Sequence, residues 1–313
     1  QRIPTPEGLE IQMDEEGGAI LDFDPMAAIP EEVEFYSNLA EVLEDGELGE
    51  LSDELMADFE SDKSSRKDWE DAYIKGLDLL GLKFVERTNP FRGASSATHP
   101  LLAESATQFQ ATAFKELLPA GGPVRTVVMG DETPEKYAKA GRVQEFMNFQ
   151  LMNKMEDYTP EYDQMLFHLP LAGSTFKKIY YDELMDRPVS KFVPAEDLVV
   201  NYLATDLDSC ERICQVINMS YNDFRKKQVS GFYKDVDILP SDYKADEVQK
   251  KYDELEGIRP SYADKAIKLY EFHVSLDLKN FEDRDQMGEK TGIKIPYIVT
   301  IEEGSSKVVG IRR

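Results

Sequence analysis

Three histidines, the D-x-D pairs Asp22/Asp24 and Asp206/Asp208, and two closely spaced cysteines are groups in this 313-residue sequence whose types could do chemistry. His99, His168 and His273 lie far apart, and none falls in an H-x-x-x-H or Cys/His spacing, which argues against a zinc site. His99 precedes Pro100 and reads as a loop or cap residue, His168 falls beside apolar residues of a helix, and His273 falls on a strand. Asp22 with Asp24, and Asp206 with Asp208, could hold Mg²⁺ or Ca²⁺, but neither pair continues into the glycine and distal glutamate of an EF-hand loop. Among 61 acidic residues such pairs arise by chance. Cys210 and Cys214 sit in a strand-like alternation, where four residues span about 13 Å, beyond disulfide reach. Two reduced, packed thiols in a reducing compartment are expected.

Gly173-Ser174-Thr175 followed by Lys177 and Lys178 lacks the G-x-x-x-x-G-K-[ST] order of a phosphate-cradling loop. It reads as a turn entering a strand, with the two lysines facing opposite sides. No G-x-S-x-G elbow is present. Tyr180-Tyr181 and Phe232-Tyr233 could stack on bases, yet they lack a basic surround and read as core aromatics. The residues therefore assign no catalytic role, no cofactor and no metal, and the chain reads as a non-enzyme.

The elements that would carry these residues follow from periodicity. Residues 1–62 hold 20 Asp and Glu against one basic residue, Arg2, a net −19 of the chain's −25, which leaves −6 for the other 251 residues. Such a region repels nucleic acid, because phosphate affinity comes from Lys and Arg. Within it, a short strand is expected at Ala19–Phe23, a helix over residues 31–44, and a second acidic helix over Gly49–Ser61. Their narrow apolar stripes suit helices lying on another surface. A helix over Ser65–Gly81 has Ser65 and Asp68 as a capping pair. A strand at Leu82–Thr88, a loop at 89–98 and a helix from His99-Pro100 come next, the last with Leu102, Ala106, Phe109, Ala113 and Leu117 on one face. Val124–Met129 is a β-branched run and reads as a strand. Thr133-Pro134 opens a helix running to about Met155, and Thr159-Pro160 opens another, stopped by Pro170.

From Ser174 the period changes to two. Strands are expected at Ser174–Tyr181, Val189–Phe192, Leu198–Asn201 and Arg212–Ser220, with Ser220 capping a short helix through Lys227. Residues 240–263 read as helix and loop, and Ala266–Leu278, Ile293–Glu302 and Lys307–Arg312 as a closing antiparallel meander. The fold class is α+β, a helical layer followed by an antiparallel β-rich region. The expected divisions are 1–62, an acidic arm and helices; 63–172, a helical region; and 173–313, a β-rich region. No run of about 18 apolar residues could span a membrane, and the N-terminus has no signal-peptide pattern, so a soluble intracellular chain is expected.

Five stretches carry a resemblance to portal proteins of short-tailed double-stranded DNA phages, over about Trp69 to Arg313. They are PFRGASSATHPLLAESATQFQATAFKELLPAGGPV, GRVQEFMNFQL, LFHLPLAGSTFKKIYYD, PVSKFVPAEDLVVNYLATDL and QVSGFYKDVDI. The resemblance implies a homo-oligomeric ring, generally of about twelve subunits, at one capsid vertex of a virion assembled in the host cytoplasm. Double-stranded DNA would pass through it non-specifically. The major capsid protein, the terminase large subunit and tail adaptor proteins would dock on it, with no ATP hydrolysis by the ring and no membrane. Phe91, Arg92, Gly93, His99, Pro100, Lys177 and Lys178 are the family-like positions, expected to act structurally or at a subunit interface. The chain would supply the wing-like body, with stem and clip expected beyond residue 313. A channel lined by weakly attracting or mildly repelling charge favours sliding. The alternatives are an acidic interaction protein or DNA mimic using residues 1–62, and a metal-dependent hydrolase using the D-x-D pairs.

Overall fold

A computed structural model describes residues 10–13, 19–22, 35–81, 91, 95, 99–182, 185–242, 245–258, 265–285 and 289–313. Strands β1 (Glu10–Met13) and β2 (Ala19–Asp22) form an antiparallel hairpin. A 3₁₀ turn at Leu39–Glu41 leads to helices α1 (Asp45–Ser65), α2 (Lys67–Leu80), α3 (Leu101–Leu117), α4 (Pro134–Phe149) and α5 (Tyr158–Ala172). Strands β3 (Phe176–Asp182), β4 (Arg187–Val193), β5 (Leu198–Val200) and β6 (Arg212–Ser220) follow. The remaining elements are α6 (Tyr221–Val229), β7 (Ser241–Asp242), α7 (Glu247–Glu256), β8 (Lys265–Leu276), β9 (Ile295–Glu302) and β10 (Val308–Arg312). The class is α+β. One sheet runs β10-β9-β8-β6-β5 with β7 beside β8, and β3–β4 is a separate antiparallel hairpin.

The main sheet is covered on both faces because its strands alternate apolar residues to each side. Tyr270 and Phe272 of β8 face α1, whose Leu48, Leu55 and Phe59 share a core with Tyr297, Val299 and Ile301. The Phe59 ring lies 4.6 Å from Tyr270 and 6.4 Å, edge-on, from Phe272. Ile267 and Leu269 face the other way, onto Phe224, Tyr233 and Ile238. Arg212 of β6 clamps α1 through buried Asp62 (2.7 and 3.1 Å) and Asp58 (3.0 Å). The acidic helix thus lies on a surface, as its narrow stripe suggests, and that surface is the chain's own sheet. It also runs across the expected 62/63 division.

One side chain closes the open edge of β10. Asn38 Nδ2 donates to Val309 O (3.0 Å), and Asn38 Oδ1 accepts from Ile311 N (2.9 Å) and Ala40 N (3.1 Å). An unpaired strand edge otherwise presents bare N–H and C=O groups. This commitment also explains why residues 35–44 hold only a 3₁₀ turn instead of the expected helix: Asn38 caps that turn and pairs with the strand.

A second unit joins the sheet near β5. Tyr73 and Leu77 of α2 pack with Ala172, Ala195 and Val248. Arg66, at the break between α1 and α2, donates to Ala195 O, Leu198 O and Glu196 O at 3.2, 2.9 and 2.6 Å. Its place at that break replaces the expected Ser65–Asp68 cap, and Ser65 Oγ instead donates to Asp62 O. Helix α3 packs on α5, with Ala106 its single buried residue and Gln110 Nε2 donating to Asp163 Oδ1 (2.8 Å). Pro170 lies inside α5, which ends at Ala172 where Gly173 takes φ +84°. A proline so near the end costs little, and glycine supplies the left-handed stop. The expected strand at Leu82–Thr88 and most of the 89–98 loop lie outside the described residues.

Candidate functional site

The family-like positions fall into two separate places. Phe91 is 66% exposed, and Arg92 and Gly93 lie outside the described residues. His99 is exposed and its carbonyl accepts from Leu101 N (2.9 Å). Pro100 is the residue before α3, and its carbonyl accepts from Glu104 N (2.9 Å). No hydrogen bond or ion pair among the described residues joins this entry segment to Lys177 or Lys178.

The two lysines do face opposite sides of β3. Lys177 Nζ lies 4.0 Å from the Tyr158 ring centre and 4.4 Å from that of Tyr162, and it has no hydrogen-bond partner. Burial lowers its pKa, against the pull of Glu161 and Asp157. Lys178 Nζ instead reaches the main sheet, donating to Glu271 Oε1 and to Gln215 Oε1 (3.1 Å). His273 Nε2 lies 3.0 Å from the same Glu271 oxygen. Burial alone would raise the Glu271 carboxyl, but the His273 and Lys178 contacts override it and hold it at about 2. A carboxylate locked in its ionised form cannot donate a proton near neutrality, so this cluster pins the β3–β4 hairpin to β6 and β8.

The other sequence candidates resolve as follows. His168 Nδ1 lies 3.1 Å from Tyr252 Oη, and burial lowers its pKa. Asp206 accepts from Ser209 N (2.7 Å) and Thr205 Oγ1 (3.3 Å), a local turn. Asp24 and the Asp22 side chain lie outside the described residues. Among the described residues, no group of three or more His, Cys, Asp or Glu is placed to hold a metal ion. Cys210 and Cys214 are free thiols, Cys214 buried in the core with its pKa pushed up by burial. Tyr233 is a core residue as expected, whereas Phe232, Tyr180 and Tyr181 are exposed, correcting the core reading of those three aromatics.

Sequence reasoning missed one half-buried acidic pair. Glu196 and Asp197 form the 3₁₀ turn Ala195–Asp197 between β4 and β5. Burial raises Glu196 to about 7 and Asp197 to about 6, with Asp246 adding to both. Glu196 Oε2 is buried without a hydrogen-bond partner. Nothing in the short PAED segment distinguishes these acids from solvated ones, because their burial comes from α2 and α7 packing nearby.

The most unusual surface belongs to α4. Thr133 Oγ1 caps it, accepting from Lys136 N, and Pro134 sits at its start, as the sequence indicates. None of its 16 residues is buried. Its inner line is Ala140, Gln144 and Asn148, spaced by four. Asn148 exchanges two hydrogen bonds with Val124, donating to its O (3.1 Å) and accepting from its N (2.9 Å). Gln144 Oε1 accepts from Thr126 N (3.1 Å). These amides imitate a β-partner, so residues 124–129 are extended without joining a sheet, contrary to the strand expected there. Val127 and Met129 are left 84% and 88% exposed. The outer side of α4 carries Lys139, Arg142, Val143, Phe146 and Phe149, all exposed, with Glu135 at its first turn. Phe109 and Leu117 of α3 are exposed too.

A scan against protein-family models finds no match for this chain, and a search of the curated proteins finds none either. Among the described residues, no helix is long and apolar enough to cross a membrane. The fold and surface therefore define an α+β chain in which a sheet-based body carries a helical unit with one polar-tethered, outward-facing helix.

Proposed function

We propose that this chain is a structural subunit of a portal-type ring that conducts double-stranded DNA at a capsid vertex. The observation that carries the reading is α4, a complete helix with Phe146 61% exposed and no buried residue. Large apolar side chains gathered on one outward helix mark a surface meant to be covered by a partner. The region from Pro100 through Lys154 also contains one of the stretches that carry the portal resemblance, Gly141–Leu151, and most of another, Pro90–Val124. The net charge of −6 on residues 63–313 suits a conduit through which phosphates slide without capture. In this reading the major capsid protein, the terminase large subunit and tail adaptors dock on the assembled ring, and the ring hydrolyses no nucleotide.

Negative-stain imaging of the full chain, alone and with capsid protein, tests it. Annular particles with a central hole are expected. A compact particle that stays single at every concentration and ignores capsid protein overturns the reading.

One observation favours a second reading, an acidic adaptor. Helix α1 exposes Glu50, Asp53, Glu54 and Glu60, none with an ion-pair partner among the described residues. Because Leu48, Leu55 and Phe59 belong to the sheet core, such an adaptor would act as the whole folded body. It predicts a single chain that binds a basic protein and never forms rings.

A further inference from the structure

We infer that α4 of one copy docks along α1 of the next, so that two different helices of the chain form its repeating contact. The inference rests on the ring reading above and names the surfaces that would close it. Three observations point to α1 as the occupant.

Charge comes first. The outer side of α4 offers Lys139 and Arg142, neither with an ion-pair partner among the described residues. The exposed stripe of α1 offers Glu50, Asp53, Glu54 and Glu60, also unpaired. Opposite potentials of this kind fix register and suppress wrong partners.

Shape comes second. On the same side as these carboxylates α1 carries Gly46, Ala57, Ser61 and Ser64, all exposed and small. The facing α4 residues are large: Val143, Phe146 and Phe149. Small residues let a second helix approach closely, while large ones fill what lies alongside. Two open recesses border the stripe. One, of about 500 Å³, is lined by buried Leu48 and Val308, by exposed Asp45, Gly49 and Asp53, and by Lys307 and Lys234, the latter paired with Asp45 (3.0 Å). The other, of about 390 Å³, has a mixed charged lining that includes Glu60, Ser64, Lys63, Lys67, Lys250 and Asp246. At 1.5 Å per residue, Gly49 to Glu60 spans about 16 Å and Lys139 to Phe149 about 15 Å. The exposed stretches of the two helices are thus of similar length.

Placement comes third. Helix α1 lies on the main sheet, whereas α4 is tethered to residues 124–126 of the helical unit. No hydrogen bond or ion pair among the described residues joins α1 to α4 within one chain. Two complementary surfaces on different parts of one subunit make a heterologous contact, which closes into a ring when its rotation allows.

The test is a charge swap on the full chain, read as oligomer mass by native mass spectrometry over a range of concentrations. All four positions are exposed, where substitutions change folding little, and circular dichroism checks each variant. Lys139→Glu with Arg142→Glu is expected to weaken assembly at least about tenfold, as is Glu50→Lys with Asp53→Lys. Combining all four in one chain is expected to restore it. Wild-type assembly that the Lys139→Glu/Arg142→Glu variant leaves unchanged would overturn the α4–α1 contact while the ring reading stands. Failure of the fourfold variant to recover above either pair would overturn it as well. A wild-type chain that never assembles removes both.

Discussion

Replacing Glu196 by glutamine should make the protein more stable near pH 8 and flatten its response to pH. Glu196 lies on the turn between β4 and β5, with Oε2 buried and unpartnered. Burial is the largest cause of its rise from 4.5 to about 7, opposed by a hydrogen bond from its own backbone and by Arg66 and reinforced by Asp197 and Asp246. Below pH 4.5 the carboxyl is protonated in both folded and unfolded chains, and the folded state suffers no penalty. Between 4.5 and 7 the unfolded chain loses the proton first, so stability falls by about 1.4 kcal/mol per pH unit. From pH 5 to pH 8 the loss is roughly 2–3 kcal/mol, a sizeable part of a typical total of about 5–15 kcal/mol. Asp197, raised from 3.8 to about 6, acts in the same direction at lower pH. His168 acts oppositely: its lowered pKa gives stability above 6.5 that is lost as pH falls. His168 remains in the variant and cancels in the comparison, while Asp197, freed from its charged neighbour, adds to the flattening. Urea midpoints at pH 5, 6, 7 and 8, at one protein concentration, give the difference directly. The wild type should lose roughly 2–3 kcal/mol more than Glu196→Gln across that range. Parallel curves, or a variant weaker by the same amount at every pH, would refute the argument that desolvation of Glu196 outweighs the contacts that favour its ionised form.

Three further outcomes follow from the packing and hydrogen bonds. Phe59→Ala empties the contact between α1 and the sheet and should cost about 3–5 kcal/mol in denaturant unfolding. Gln144→Ala with Asn148→Ala should release residues 124–126, so hydrogen exchange at the Val124 region and Thr126 N–H quickens. Because that segment adds little to the core, the global unfolding midpoint should stay nearly constant. Lys178→Met leaves Glu271 buried with His273 alone and should destabilise by about 1–3 kcal/mol. Adding Glu271→Met should recover most of that loss, which a double-mutant cycle measures.

The period-two strands were readable because both faces of the main sheet are apolar: β6 begins and ends where the alternation places it, and the β8–β9–β10 meander follows. Local caps were readable too, since Thr133-Pro134 and Ser220 act through neighbours three residues away. The failures share one physical origin, side chains that satisfy distant backbone. Asn38 pairs with a strand some 270 positions later, and the separation is invisible in any local window. Gln144 and Asn148 replace a strand for residues 124–126, so a β-branched run that looks like a sheet member is not one. For the site, the opposite orientations of Lys177 and Lys178 followed from strand alternation. What each lysine meets, a pair of tyrosine rings or Glu271, depends on tertiary packing alone. That Gln144 and Asn148 turn inward while Val143, Phe146 and Phe149 stay exposed also depends on the fold, through the bonds to residues 124–126.

The most direct test of the account is the native mass of the full chain, followed from low to high concentration. The account predicts a closed oligomer of about a dozen copies, with no ladder of open-ended species at saturation. A mass equal to one chain at every concentration would contradict it and leave the exposed face of α4 to a different partner.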